Sequence, residues 1–394
     1  MKITDVKVVP VNKFLFVKVM TDEGSTGPGE SGDWGWLESS AEVINSFREN
    51  LIGQDPLRIE HHWQYMYRCF HFRGAAVMGA LSAIDIALWD IAGKFYGVPV
   101  YQLLGGKCRD TVRVYSHVSG GSFEELMESC LAEKEKGFTA IGHLSPFLDE
   151  PRNTRYFETY ARKISSGVER IGKIREAVGL NVDLCIENHR RLNPAEAVAL
   201  AAQLEPLLPM FYEDPILPDN FDSMAWVAQK IRIPLATGER IHTPQEYQML
   251  VKRQALDYLR VSICVCGGFT GAKKIAAIAE ANQIGIIPHN PLSPVATAAC
   301  IQFDAATPNF TIQEYPDPDG PAAHARFVFE RTGKSAFRAS DIVNVMPECR
   351  DGFLVVPDAP GIGIELVEGV EEKFPFERRK VVTRLTTDGA VMDQ

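Results

Sequence analysis

From about residue 112 the chain keeps a beat that few folds can accommodate. A short β-branched or aromatic run ends in polar residues and leads into a helix-period stretch. The runs are VRVYSHV (112–118), AIGHLSP (140–146), DLCIENH (183–189), FYEDPI (211–216), PLATGER (234–240), YLRVSIC (258–264), GIIPHN (285–290) and FTIQEY (310–315). Between them lie segments such as SFEELMESCLAEKEKG, NPAEAVALAAQLEP, TPQEYQMLVKR and GAKKIAAIAEANQ, whose apolar residues recur at helical spacing. NPAEA and TPQEY open with a capping residue followed by Pro at the first helical position. Repeated strand-then-helix units require parallel strands joined by crossover helices, and eight of them close into a barrel. Strand starts from 183 to 310 advance by 28, 23, 24, 27 and 25 residues, too short for inserted domains. The step from 140 to 183 is 43 residues, so the loop after strand two carries extra sequence. An open doubly wound sheet is the competing arrangement, but no Gly-rich phosphate loop joins one of these strands to its helix.

Residues 1–111 read differently. KITDVKVVPVNKFLFVKVMTDEGSTGPGES has the short alternation and Gly turns of antiparallel strands, and helical stretches follow, including AAVMGALSAIDIALWDIAGKFYG (75–97). The tail regains strand character in GFLVVPDAPGIGIELV. Two separate domains and a tail that returns to the first domain are both compatible with this spacing. With 41 basic and 51 acidic residues the 394-residue chain carries a net charge of −10. That disfavours nucleic acid or an anionic membrane as partner, because either needs a basic face. MKITDVKVVP lacks the apolar stretch of a signal peptide, and no run is expected to reach the ~18 apolar residues of a membrane span. Eight scattered Cys fit reduced thiols, so a cytoplasmic protein is expected.

Barrel active sites form at the C-terminal ends of the strands. The polar residues expected there are His143 on strand two, Glu187 and His189 on three, and Glu213 and Asp214 on four. Glu239 and Arg240 follow on five, Ser262 on six, His289 on seven and Glu314 on eight. Glu187, Glu213 and Glu239 are each 26 residues apart, one per unit, which places three carboxylates on adjacent strand ends. Such a cluster raises its own pKa values unless a cation holds it ionised, and a hard divalent ion such as Mg²⁺ suits oxygen ligands. The bland alternative is a set of rim carboxylates paired with Arg240 or Arg260. Glu187 and His189 are two apart on one strand and share a face. His289 lies four strands away, across the barrel.

Seven motifs carry a family resemblance: SAIDIALWDIAGKFYGVPVYQLLGG (82–106), IENHRRL (186–192), FYEDPI, ATGER, CGGFTGAKKIA (266–276), IPHNP (287–291) and IQEY (312–315). In these the chain resembles the enolase superfamily, in its mandelate racemase-like branch, and looks most like the acid-sugar dehydratases of the galactonate and mannonate type. The resemblance implies an α/β fold, a modified TIM barrel (β/α)7β with an α+β capping domain built from both termini. The expected division is 1–111 for the N-terminal cap, 112–340 for the barrel and 341–394 for the segment that returns to complete the cap.

It further implies Mg²⁺ held by Glu187, Glu213 and Glu239. His189 matches the acid that helps a 3-hydroxyl leave, and His289 the strand-seven base. Glu314 matches the strand-eight carboxylate that contacts substrate or the developing enolate. Trp34, with Trp36, falls where the family's cap loop closes over substrate. Two departures stand out. Ser262 occupies the place of the Asp that pairs with the strand-seven His in many relatives. Strand two lacks the Lys-x-Lys pair found there in many relatives. The base is then His289, His143, or a group from the loop after strand two, where Tyr156, Tyr160, Arg152 and Arg155 lie; His143 and Arg155 are also candidates for binding substrate. The expected activity is dehydration of a sugar acid to a 2-keto-3-deoxy acid, by a homo-oligomer as is common in the family. The alternatives are an epimerase, racemase or cycloisomerase using the same enolate, or a metal-binding relative with little catalysis.

Overall fold

The computed structural model of the chain describes residues 1–147, 155–318, 338–378 and 383–392. The chain begins with an antiparallel meander of β1 (Ile3–Val11), β2 (Phe14–Thr21) and β3 (Thr26–Ser31), with Val8 opposite Val17 and Val17 opposite Gly29. Three helices cover it: α1 (Leu37–Leu51), α2 (Ile59–Arg68) and α3 (Ala75–Tyr96). β3 and the residue after it spell GPGESG, but these glycines serve packing. A Cβ on Gly27 would lie 2.2 Å from the carbonyl oxygen of Ala87, and one on Gly29 1.9 Å from that of Ala83. β3 therefore lies backbone-to-backbone on α3.

α3 corrects one expectation. Its 22 residues are long and apolar enough to pass for a membrane span, because Ala and Gly keep the stretch apolar between its few charges. Yet 78% of that stretch is buried inside the molecule, where α3 packs against both β3 and a barrel helix.

All eight expected strands form, in order. They are β4 (Thr111–His117), β5 (Ala140–Leu144), β6 (Asp183–Glu187), β7 (Phe211–Glu213), β8 (Leu235–Thr237), β9 (Tyr258–Val261), β10 (Gly285–Pro288) and β11 (Gln313–Tyr315). Each pairs in parallel with the next from β4 to β10, and β11 pairs in parallel with β4. A bridge from Ile286 to Phe310 joins β10 to the approach of β11 and closes the ring. The short α4 (Val100–Leu103) leads in from the cap. Around the barrel run α5 (Phe123–Glu135), α6 (Tyr160–Val178), α7 (Pro194–Leu204), α8 (Phe221–Ala228), α9 (Pro244–Lys252), α10 (Gly268–Glu280) and α11 (Pro294–Ala305). Capping boxes at Ser122, Asn193 and Thr243 fix the starts of α5, α7 and α9, each satisfying two otherwise unpaired backbone donors.

The C-terminal residues serve both bodies. β12 (Cys349–Arg350) and β13 (Phe353–Val355) form a hairpin whose second strand pairs antiparallel with β4. Further on, α12 (Val370–Lys373) packs on β1, and Asn12 exchanges backbone hydrogen bonds with Phe374 (3.0 Å) and Glu377 (2.7 Å).

What seats the cap over the barrel mouth is hydrogen bonding of buried carboxyl groups to helix N-termini. Barrel helices start at the C-terminal ends of the strands, so their N-termini ring the mouth with unpaired backbone N–H groups. Buried Asp85 of α3 accepts from the Thr270 N–H (3.0 Å) in the first turn of α10. Buried Glu30 of β3 accepts from the Ser293 N–H (3.3 Å), the Ser293 hydroxyl and the Ala296 N–H (3.1 Å) at the start of α11. Trp63 of α2 donates from Nε1 to the Gly267 carbonyl at 2.9 Å. Two cap carboxylates thus finish two consecutive barrel helices.

Candidate active site

Glu187 and Glu213 are the last residues of β6 and β7, and their Cα positions pair across the sheet. Glu239 lies two residues past β8, delivered by Gly238 at φ 134, where a Cβ would meet the Arg260 carbonyl at 2.8 Å. One oxygen from each of the three carboxylates lies within 4.8 Å of the others. Two buried arginines brace them. Arg260 of β9 bonds Glu213 through Nε and Glu314 through Nη2 (2.6 Å), while its Nη1 reaches the Ile287 (3.3 Å) and Pro288 (3.2 Å) carbonyls. Arg190 joins Asp214 (3.0 Å) to Glu239 (2.6 Å). Arg260, one of the two arginines weighed as the partner of a rim carboxylate, pairs with Glu213, and the cluster forms around it.

The electrostatics of the triad are divided. Burial first, then repulsion from Glu213 and Glu239, pushes Glu187 well above the usual carboxylate range. Burial outweighs Arg260 and lifts Glu213 to about 8. Glu239 is slightly more open; burial still opposes its ionisation, but His289, Arg190 and Arg260 overcome it and hold the carboxyl at about 2. A divalent cation among the three oxygens removes this conflict by favouring the ionised form of all three at once. The donor set, three carboxylates and no thiolate, is that of a hard ion.

Four imidazoles surround the triad. His189 follows Glu187 by two residues, and its backbone N–H donates to Glu187 Oε1 at 2.8 Å. His143 on β5 has its ring centroid 4.5 Å from that of His189. His117, the last residue of β4, is 5.1 Å from His143 and pairs through Nε2 with Glu314 Oε1 at 2.6 Å. His289, just past β10 on the far wall, reaches Glu239 Oε2 at 3.4 Å. Glu314 is held well below the usual carboxylate range: burial opposes ionisation, and Arg260, His289 and His117 overcome it. Its ionised oxygens accept from His117 on one side and from Arg260 and the Asn290 N–H (2.8 Å) on the other.

His143, His189, Arg190 and Asp214 all have positive φ, between 37° and 63°, which is uncommon for any residue other than Gly. Four such residues at adjacent strand ends mark backbone bent to aim side chains.

Above the triad opens a cavity of 960 Å³, lined by Glu187, His189, Glu239, His289, Glu314 and His143, and roofed by Trp34 and Trp36 from the cap. The tryptophans are 38% and 57% exposed. Arg155 does not join this group: it is exposed and donates to the Thr387 carbonyl (3.3 Å), beside the hairpin of β14 (Arg384–Leu385) and β15 (Val391–Met392). Tyr156 is clamped to the same hairpin through its N–H to Leu385 at 3.0 Å, and Tyr160 is exposed at the start of α6. The reason is topological: the tail hairpin covers this end of the loop and takes up its polar groups. Arg152 lies outside the described residues. His117 and Arg190 escaped the sequence reading, and Arg260 entered it only as the partner of a rim carboxylate. His117 is found by the strand-end rule as soon as strand one is included. Arg260 as a brace of Glu314 has no local signal, since its two carboxylates lie 47 and 54 residues away.

Comparison with known proteins adds the family. Residues 128–370 match the family described as Enolase C-terminal domain-like. Residues 3–105 match the mandelate racemase / muconate lactonizing enzyme N-terminal domain. The chain belongs to the enolase superfamily. A D-galactonate dehydratase of Variovorax paradoxus is 35% identical over 361 residues, spanning 90% of this chain and 89% of that one. A D-mannonate dehydratase of Caulobacter vibrioides is 33% identical with full coverage of both. Among solved structures, an enolase from Agrobacterium radiobacter with bound sodium and L-malate superposes at a TM-score of 0.89 and 30% identity, with full coverage of both. The (β/α)7β barrel and its two-part cap are those of this superfamily, and the chain is an enzyme whose named relatives are hydro-lyases.

Proposed function

We propose that this enolase-superfamily member is a Mg²⁺-dependent acid-sugar dehydratase, converting an aldonate or aldarate into a 2-keto-3-deoxy acid. The observation that carries the reading is the meeting of three clustered carboxylates, two of them buried, with His189, whose backbone is bonded to the first of them. Glu187, Glu213 and Glu239 would hold the cation, which when bound would supply Lewis-acid stabilisation of charge developing on a substrate carboxylate. The chain's own groups do the rest. A cavity imidazole takes the weakly acidic proton next to that carboxylate. Arg260 and Glu314 form a fixed charged floor that needs no rearrangement as the enediolate forms. His189 protonates the hydroxyl on the neighbouring carbon, because hydroxide is a poor leaving group. His289 faces the same substrate from the opposite wall, and Trp34 and Trp36 close over it and exclude water.

The test is ¹H NMR of the protein with Mg²⁺ in D₂O against C5 and C6 aldonates and aldarates. Loss of the α-proton signal with a new deoxy methylene is the expected result. Exchange without a methylene identifies an epimerase or racemase instead. Loss of turnover on chelation, restored by Mg²⁺, checks the metal.

A further inference from the structure

We propose that His143 is the catalytic base that removes the α-proton, working from the same side of the substrate as His189. The proposal rests on the enolate chemistry above, and what it adds is the residue and the stereochemistry.

The backbone makes the first argument. β5 runs in register with β6 at Ala140 opposite Asp183 and Ile141 opposite Leu184, then shifts so that Leu144 faces Ile186. Three residues on β5 thus span two on β6, and the extra one belongs to a bulge containing His143 at φ 53. A bulge re-aims the side chain it carries, and bulges recur beside active sites for that reason. The neighbouring residue permits it: a Cβ on Gly142 would lie 2.2 Å from the Tyr115 ring. Any other residue there displaces Tyr115 or flattens the bulge.

The destination makes the second. The re-aimed imidazole lines the cavity, half-buried, with its ring 4.5 Å from that of the acid His189. Two other imidazoles of the site are held by carboxylates. His117 is bonded to Glu314 at 2.6 Å beneath the cavity, and His289 reaches Glu239, one of the three cradle carboxylates, at 3.4 Å. His289 Nδ1 is buried with no hydrogen-bond partner among the described residues, and so is the hydroxyl of Ser262. The ring is thus held through Nε2 by a cradle carboxylate, and not through Nδ1 by a strand-six partner of the kind that orients a base.

In the step, the C2–H bond breaks, the proton goes to an imidazole nitrogen of His143, and the electron pair enters the carboxylate to give an enediolate. That pair then forms the C2–C3 double bond as the C3–O bond breaks. His189 gives its proton to the departing hydroxyl, so one water leaves. The resulting enol takes a proton at C3 and loses its hydroxyl proton to become the 2-keto-3-deoxy acid. Because β5 and β6 are adjacent strands, proton removal and hydroxyl departure occur on one face, and the elimination is syn.

The test uses the full-length protein with Mg²⁺ and an acid that wild type turns over or exchanges, reading deuterium entry at C2. His143→Asn is expected to lower exchange and kcat by about 10²–10⁴-fold with KM changed less than threefold, the usual reach of a general base. His143→Ala is expected to recover part of the exchange on addition of free imidazole, a rescue that a packing role does not give. His289→Asn is expected to retain more exchange than His143→Asn. Exchange within threefold of wild type in a folded His143→Asn, or a change in KM alone, overturns the proposal. An anti relation between the lost proton and hydroxyl overturns it too. If wild type exchanges C2 but forms no deoxy product, the dehydratase reading fails, while the exchange rates still decide the role of His143.

Discussion

The floor and the roof of the cavity are built on opposite principles. On the floor, Glu187, Glu213 and Glu314 are buried and Glu239 nearly so, and Arg190 or Arg260 braces three of the four. The strand ends beneath them hold positive-φ backbone at His189, Arg190 and Asp214. The roof is Trp34 and Trp36 on a loop of the cap, largely apolar and well exposed. A preorganised charged floor is suited to a transition state, whose charge develops at one fixed place. An exposed aromatic roof is suited to ground-state contact and to admitting substrate. The difference teaches that substitutions in the two places should appear in different kinetic constants.

The sharpest way to break that division is Glu187→Gln. Removing one cradle carboxylate should cost about 10³-fold or more in kcat, several kcal/mol of charge stabilisation at 1.36 kcal/mol per tenfold. The same variant, metal-free, should melt a few degrees above metal-free wild type, because burial and two neighbouring carboxylates oppose the ionised Glu187. Calorimetry with and without Mg²⁺ reads both effects, and a lower melting point for the metal-free variant would contradict the account of strain in the floor.

Next in size is His189→Asn, expected to lower product formation by about 10²–10⁴-fold while α-deuterium exchange survives. Parallel loss of both would remove His189 from the role of acid. Trp36→Ala should raise KM by about tenfold, the value of ~1.4 kcal/mol of lost apolar contact, and leave kcat within threefold. A fall in kcat alone would place the roof in the chemistry.

The smallest effect concerns the struts between roof and barrel. Burial raises Glu30 to about 8 and Asp85 to about 7, against hydrogen bonds that pull both down. An unfolded carboxylate titrates near 4. Between those values the folded protein keeps protons that the unfolded chain has released. Their contribution to stability is therefore fully present below about pH 4 and is lost as pH rises through 7 to 8. Melting temperature should drop between pH 6 and 9, and Glu30→Gln should flatten that slope at some cost in stability at pH 6. An unchanged slope would mean that Glu30 is ionised at its helix terminus throughout.

Much of this was legible in the sequence, and the reasons differ by region. The barrel is a repeat, so each strand reinforces the reading of the next, and the 26-residue spacing of Glu187, Glu213 and Glu239 follows from it. The cap has no repeat, and Gly27 and Gly29 read as turn glycines until their contact with Ala83 and Ala87 is seen. Arg155 was misleading because loop position alone cannot show that the tail hairpin, more than 200 residues later, takes up that end of the loop. His143 was visible as a residue, but its aim depends on a register shift against β6, which no local pattern encodes.

The return of the tail to β1 has a consequence for how the molecule assembles. Lys7 and Glu371, ion-paired at 2.6 Å, are 364 residues apart. As the chain emerges from the ribosome, the first sheet and its helices must wait through synthesis of the entire barrel. Only then do α10 and α11 offer their N-termini to Asp85 and Glu30, and only after that does α12 arrive at β1. Contacts of such separation slow folding, and half-made intermediates expose apolar surface in the interval. The cap is therefore begun before the barrel and finished after it.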